Sequence, residues 1–171
     1  MMIIGIDPGI VHTGVVRLLL DQDKRTVHSE FAVIDGLDAA AVERWVYRFG
    51  VKPDLISIEQ YRPRQKLSSD VRMLQAEKNF LREMPEARLV PNTGVRRLAP
   101  RWTLDIFGIG AFPQATHHDD LGSAARILYL GGIKDDSINP CLTRVVRDFV
   151  DGDPWSVDRD MIHWSDDAYA L

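Results

Sequence analysis

The stretch Met2-Ile3-Ile4-Gly5-Ile6-Asp7-Pro8-Gly9, followed by Thr13-Gly14-Val15-Val16, decides how the chain is read. A short apolar run ending on an acid has the pattern of a buried strand whose last residue is reserved for function. Pro8-Gly9 turns the chain sharply, and the glycines let backbone or substrate approach closely. A carboxylate at the end of a buried strand cannot satisfy itself and needs a metal, a base or donors. Taken alone, the same residues also fit a tight hairpin in which Asp7 caps the turn.

Working outward, Gly14–Leu20 and Thr26–Ile34 are expected strands, separated by the polar turn Asp21-Gln22-Asp23-Lys24. Asp38 is placed to cap a helix running through Phe49, with Ala41, Val42, Trp45, Val46 and Phe49 at helical spacing and Gly50 as terminator. Asp54–Glu59 is the next strand. A second helix is expected from Ser69 to about Met84, with Val71, Leu74, Phe80 and Leu81 as its apolar stripe. Ala87–Val90 is a short strand stopped by Pro91. Asp119–Leu130 is a helix closed by Gly131-Gly132, and Asn139-Pro140 opens another. The order predicts an α/β chain with one mixed five-stranded sheet flanked by helices.

The chain has 171 residues, 45% hydrophobic and 27% charged. This is enough to bury the core of one domain and ordinary enough to exclude disorder, collagen and coiled coil. No apolar run approaches the ~20 residues of a membrane span; Val15–Leu20 is short and broken by Arg17. The start of the chain carries no export signal, and the single Cys141 excludes an internal disulfide and a Cys-based zinc site, so a cytoplasmic location without membrane contact is expected. The net charge of −4 argues at first against a nucleic-acid partner. It is an average of unlike parts. Residues 62–101 hold ten basic and four acidic side chains, net +6, whereas residues 148–171 hold seven acids against Arg159, net −6. A local field of this kind steers polyanions whatever the total, although a solvated helix face and an acidic tail would leave the same numbers.

A second acid occupies a place equivalent to Asp7: Glu59 ends the strand Leu55-Ile56-Ser57-Ile58. Parallel neighbours bring their C-terminal ends to one edge, where ligands bind in such sheets. A third cluster, His117-His118-Asp119-Asp120, precedes the small-residue helix start Leu121-Gly122-Ser123-Ala124-Ala125, whose small side chains permit close packing on a sheet. Acids at a helix start are also common caps. Together, oxygen ligands from separate elements with no cysteine suit hard octahedral ions such as Mg²⁺ or Mn²⁺.

Gly5-Ile6-Asp7-Pro8-Gly9 with Thr13-Gly14, then Ile58-Glu59-Gln60, then His117-x-x-Asp120, resemble the motifs of RuvC-type Holliday junction resolvases of the ribonuclease H-like superfamily. Pro91-x-x-x-Val95-Arg96-Arg97 resembles the family's Pro-x-x-Val-Lys-Lys segment with one residue added. The resemblance spans roughly residues 1–130, in the correct order, and marks the chain as a short and divergent member. It implies a ribonuclease H-like nuclease domain over residues 1–138, with a C-terminal helix and acidic tail over 139–171. It also implies a metal-dependent, structure-selective endonuclease, with Asp7, Glu59 and Asp120 as catalytic metal ligands and His117 at the family's fourth position. Asp119 is an alternative ligand beside Asp120, which the motif spacing favours. Two Mg²⁺ or Mn²⁺ ions per site, a homodimer acting in DNA recombination and repair, and branched DNA, chiefly four-way junctions, as substrate follow from the same resemblance. So do products with a 5′-phosphate and a 3′-hydroxyl.

Arg62, Arg64 and Lys66 past Glu59, and Arg96, Arg97 and Arg101 past the next strand, are the expected DNA-backbone contacts. Tyr61 is placed either to stack on an exposed base or to be a half-buried strand-end aromatic. A flap or replication-fork nuclease on the same fold is the nearest alternative, and a non-catalytic junction-binding module a further one. Actin-like ATPases and sugar kinases share the Gly-Ile-Asp-x-Gly opening, but they need a duplicated domain and another phosphate loop for which 171 residues leave no room. Between Arg97 and His117 a helix of the family is expected to be missing or reduced. Trp155 and Trp164, set among the tail acids, fit folding back on the core, a partner contact or DNA mimicry.

Overall fold

The computed structural model describes residues 1–63, 68–112 and 118–161. Three antiparallel strands, β1 (Met2–Asp7), β2 (His12–Asp21) and β3 (Thr26–Asp35), begin the chain. Helix α1 (Ala39–Tyr47) leads to β4 (Leu55–Gln60), and α2 (Ser68–Glu83) leads to β5 (Arg88–Pro91). Two short helices, α3 (Val95–Leu98) and α4 (Arg101–Ile106), occupy the stretch expected to have lost a helix. Helices α5 (His118–Ile133) and α6 (Asn139–Val150) precede a last strand, β6 (Ser156–Met161). The strands form one sheet in the order β5-β4-β1-β2-β3-β6, with β4 and β5 parallel to β1 and β6 parallel to β3.

The five expected strands are present, and the sheet has a sixth. Nothing in Ser156-Val157-Asp158-Arg159-Asp160 has strand-like hydrophobicity; it is a strand because the edge of β3 supplies its backbone partners from Thr26 to Phe31. Trp155 is buried and donates from Nε1 to Asp148 at 2.9 Å, and Arg25 bonds Asp153 at 2.6 Å, which fixes the strand's approach.

Strand periodicity sorts the core into two layers. Ile4, Ile6, Val15, Ala32, Ile34, Ile56 and Ile58 face α1 and α2, where Trp45, Phe80 and Met84 are fully buried. Ile3, Val16, Leu18, Phe31 and Leu55 face α5 and α6. Asp38 caps α1 by accepting from Ala41 N at 2.9 Å. The buried side of α2 is Asp70, Ala76 and Phe80, while Val71 is 67% exposed. The expected stripe was therefore rotated, because polar residues occupy the side of α2 that faces the sheet edge. Gly131 and Gly132 lie inside α5 and do not end it. A Cβ at Gly132 would fall 2.5 Å from Leu142 Cδ1 of α6, and one at Gly131 would overlap Ser57 of β4. They are clearance for packing on both sides.

Beneath α1, Glu30 holds two buried guanidiniums, Arg17 at 2.8 Å and Arg48 at 2.9 Å. Arg17 also donates to the carbonyls of Trp45 and Val46, closing the C-terminal turn of α1. Burial first, and Arg48 beside it second, push the Arg17 guanidinium down to about 10, against the pull of Glu30. Glu30→Ala leaves two like charges buried without a counterion. It is expected to lower unfolding free energy by about 3–5 kcal/mol in urea titrations, whereas a loss under ~1 kcal/mol would contradict the structural role given to Glu30.

Candidate active site

Parallel pairing of β1 with β4 runs from Ile3–Leu55 to Ile6–Ile58, so Asp7 and Glu59 are the next residues on adjacent strands. Period two puts both on the face covered by α5, together with Gly5 and Ser57. Their carboxyls are hydrogen-bonded to each other.

Helix α5 supplies the third acid because it lies so close to the sheet. A Cβ at Gly14 would fall 2.5 Å from the Asp120 carbonyl oxygen, and one at Gly5 would fall 2.6 Å from Leu128 Cβ. With hydrogens at those two positions, the first turn of α5 comes down on the strand ends and Asp120 enters the field of Asp7. Ser123, three residues on and therefore on the same helix face, hydrogen-bonds the Asp7 carboxyl. Past the exit of β5, the third parallel strand at this edge, Asn92 donates from Nδ2 to Glu59 Oε1.

A pocket of about 160 Å³ opens here, lined by Asp7, Pro8, Glu59, Tyr61, Met73 and Glu77. Tyr61 is half-buried: its backbone N–H donates to Glu77 Oε2 at 2.9 Å, and its hydroxyl donates to the buried Asp70. The polar side of α2 thus fastens the segment leaving Glu59.

Asp7 is the perturbed group of the site. Burial, then the hydrogen bond and charge of Glu59, then the charge of Asp120 push its carboxyl up to about 9, with Ser123 pulling the other way. Hard oxygen donors, one of which burial and its acidic neighbours make hold a proton, are a donor set that a divalent cation satisfies. Among the described residues, no three such side chains already converge on one point, so Asp120 approaches Asp7 through its charge while Asp7 and Glu59 close on each other.

Asp7 and Glu59 are therefore in contact, and Asp120 is near enough for its charge to act on Asp7. Asp119 is exposed on the neighbouring face of α5 and lines a different cleft. Arg62 is exposed just past β4, Arg96 and Arg97 are exposed on α3, and Arg101 is exposed on α4. His117, Arg64, Lys66 and Trp164 lie outside the described residues. Sequence reasoning passed over Ser123, Asn92 and Glu77. The first two had signals, Ser123 as one helical turn past Asp120 and Asn92 as the exit of a parallel strand. Glu77 had none, since its place depends on how α2 docks.

No protein-family model matches the chain, and no curated protein matches it by sequence. Solved structures do match. Thermus thermophilus RuvC is 21% identical over 75% of this chain and 91% of its own, with a TM-score of 0.52. T. thermophilus RuvC in complex with Holliday junction substrate is 20% identical over 91% of this chain and 98% of its own, with a TM-score of 0.53. The chain has the ribonuclease H-like fold of RuvC.

The raised Asp7 carboxyl makes a signed prediction for the metal-free protein. Its folded value, about 9, lies above the unfolded value near 4, so its contribution to stability is fully present below about pH 4 and is lost as pH rises through 9. In EDTA, Asp7→Asn should melt at a higher temperature than the wild type at pH 8, and the gap should close toward pH 4. An Asp7→Asn protein that melts lower at pH 8 would contradict the placement of Asp7.

Proposed function

We propose that the chain is a structure-selective endonuclease that resolves four-way DNA junctions by metal-dependent phosphodiester hydrolysis. The observation that carries this reading is the contact of Asp7 with Glu59 at the C-terminal edge of the parallel strands, with Asp120 close enough to act on Asp7 by charge, in a chain with the RuvC fold. One of the two RuvC structures is a complex with Holliday junction substrate.

Asp7, Glu59 and Asp120 are the residues that would hold Mg²⁺ or Mn²⁺, two ions per site, with His117 completing the set; Asp119, turned to a different cleft, is not among them. Bound there, such ions lower the pKa of a water and neutralise charge at the phosphodiester. The remaining work falls to the chain itself. Ser123 and Asn92 aim the Asp7 and Glu59 carboxyls. The proton shared between Asp7 and Glu59 must leave before both can act as ligands, so metal affinity rises with pH. His117, three residues before Asp120, is assigned to hold or deliver a proton at the leaving oxygen. Arg62, Arg64, Lys66, Arg96, Arg97 and Arg101 hold the DNA backbone around the edge, and the product ends are a 5′-phosphate and a 3′-hydroxyl.

Paired cuts across a junction require two sites, so the reading includes a homodimer. Val71 and Leu74, turned outward on α2, are apolar surface available for one.

A synthetic four-way junction in Mg²⁺ or Mn²⁺ should receive paired symmetric nicks, and EDTA should abolish them. Asp7→Asn should reduce cleavage at least about a hundredfold while junction binding in a gel shift survives. Retained cleavage in Asp7→Asn would remove the proposed site. Equal cutting of flap, fork and four-way DNA would move the reading to a broader branched-DNA nuclease. Junction binding with no cutting in either metal would leave a binding module.

A further inference from the structure

Side chains three or four apart on a helix share a face, and α5 uses two of its faces near the first turn. Asp120 and Ser123 are turned to Asp7. Asp119, Gly122 and Arg126 share the adjacent face, and with Arg101 and Phe112 they line a cleft of about 410 Å³.

Arg126 is built into this cleft. Its Nη1 donates to the Gly122 carbonyl at 3.0 Å, and a Cβ at Gly122 would fall 3.3 Å from the same nitrogen. The bare position therefore lets the arginine lie back along α5 toward the turn that carries Asp120. Its Nε is buried and has no hydrogen-bond partner among the described residues. The Arg96 guanidinium is near enough that, after burial, it is the main cause lowering the proton affinity of Arg126, and Asp119 is the carboxylate acting against it. Arg101 stands at the same opening in a loose 3.9 Å pair with the exposed Asp105. From β6, Arg159 donates to the Ala111 carbonyl and holds the rim. Like charges gathered around a half-buried guanidinium that lines an open cleft are relieved by an anion, and the Nη groups of Arg126 and Arg101 at one opening suit the oxygens of a phosphate.

We propose that this cleft is a second phosphate subsite, in which Arg126 is the fork that grips the DNA backbone beside the phosphodiester held at Asp7, Glu59 and Asp120. The proposal rests on the nuclease reading above and adds to it a residue outside the basic stretch 62–101. Arg126 acts here on binding register, since it is one helix face away from the acids.

The test is binding of the full chain, in Ca²⁺, to four-way junctions in which a neutral methylphosphonate replaces one phosphate at a time through the crossover. Wild type should lose roughly tenfold in affinity at the partnered phosphate. Arg126→Gln should show about that loss on the unmodified junction and no further loss at that one position, and Arg126→Lys should keep part of the affinity. Arg126→Gln binding like wild type, or losses that add at every position, would overturn the subsite. Thermal melts check folding; if Arg126→Gln fails to fold, Arg126→Lys carries the same comparison. Wild-type cleavage in Mg²⁺ scores the nuclease reading separately, because coupling between Arg126 and one phosphate is read without any cut.

Discussion

The close seating of α5 on β1 and β2 is the constraint on which the sheet edge depends. It is a contact between backbones, made possible by Gly5 and Gly14 on the strands and by Ala124 and Gly131 on the helix. Glycine inside a strand costs about 0.5–1 kcal/mol relative to alanine, and the buried layer of Leu121, Ala125, Leu128 and Leu142 offsets it. What the seating provides is position. A methyl group at residue 14 would meet the Asp120 carbonyl, and the helix would have to rise and take its acid away from Asp7.

The molecule contains two clusters of buried or half-buried charge, and they differ in kind. Under α1, Glu30 lies between Arg17 and Arg48 and accepts from both, and two helical carbonyls accept from Arg17 Nη2. That cluster joins the neighbouring strands β2 and β3 to the C-terminal turn of α1. At the C-terminal edge, Asp7, Glu59 and Asp120 have the same sign, and burial together with these neighbours makes the Asp7 carboxyl hold its proton to about 9. A group in which opposite charges meet ties elements together; one of a single sign at a sheet edge is poised for something brought from outside.

The five strands and the carboxylate pair Asp7 and Glu59 were legible in the sequence, because each rests on local information: an apolar run of the right length, a turn residue, an acid at a run's end. The small-residue helix marked the Asp119-Asp120 cluster, and only the spacing of the family motif chose Asp120 within it. What was not legible depends on partners distant along the chain. Gly131-Gly132 resembles a helix stop until Ser57 and Leu142 are seen on either side of it. Val71 and Leu74 make a plausible inner stripe for α2 until the Asp70–Tyr61 and Glu77–Tyr61 bonds show which side faces the site. The same holds for β6, whose residues have no strand character of their own.

That last strand bears on a matter apart from cleavage. Without it, β3 would present an unpaired backbone edge to the solvent, and such an edge invites pairing with another chain. β6 covers that edge and becomes the new one, but it carries Asp158, Arg159 and Asp160 in succession, all exposed. Two of these repel an approaching strand of the same sequence, and the third is occupied at Ala111. Through residue 160 the acidic tail thus places like charge along the sheet's outer edge among the described residues, where an incoming strand would have to pair.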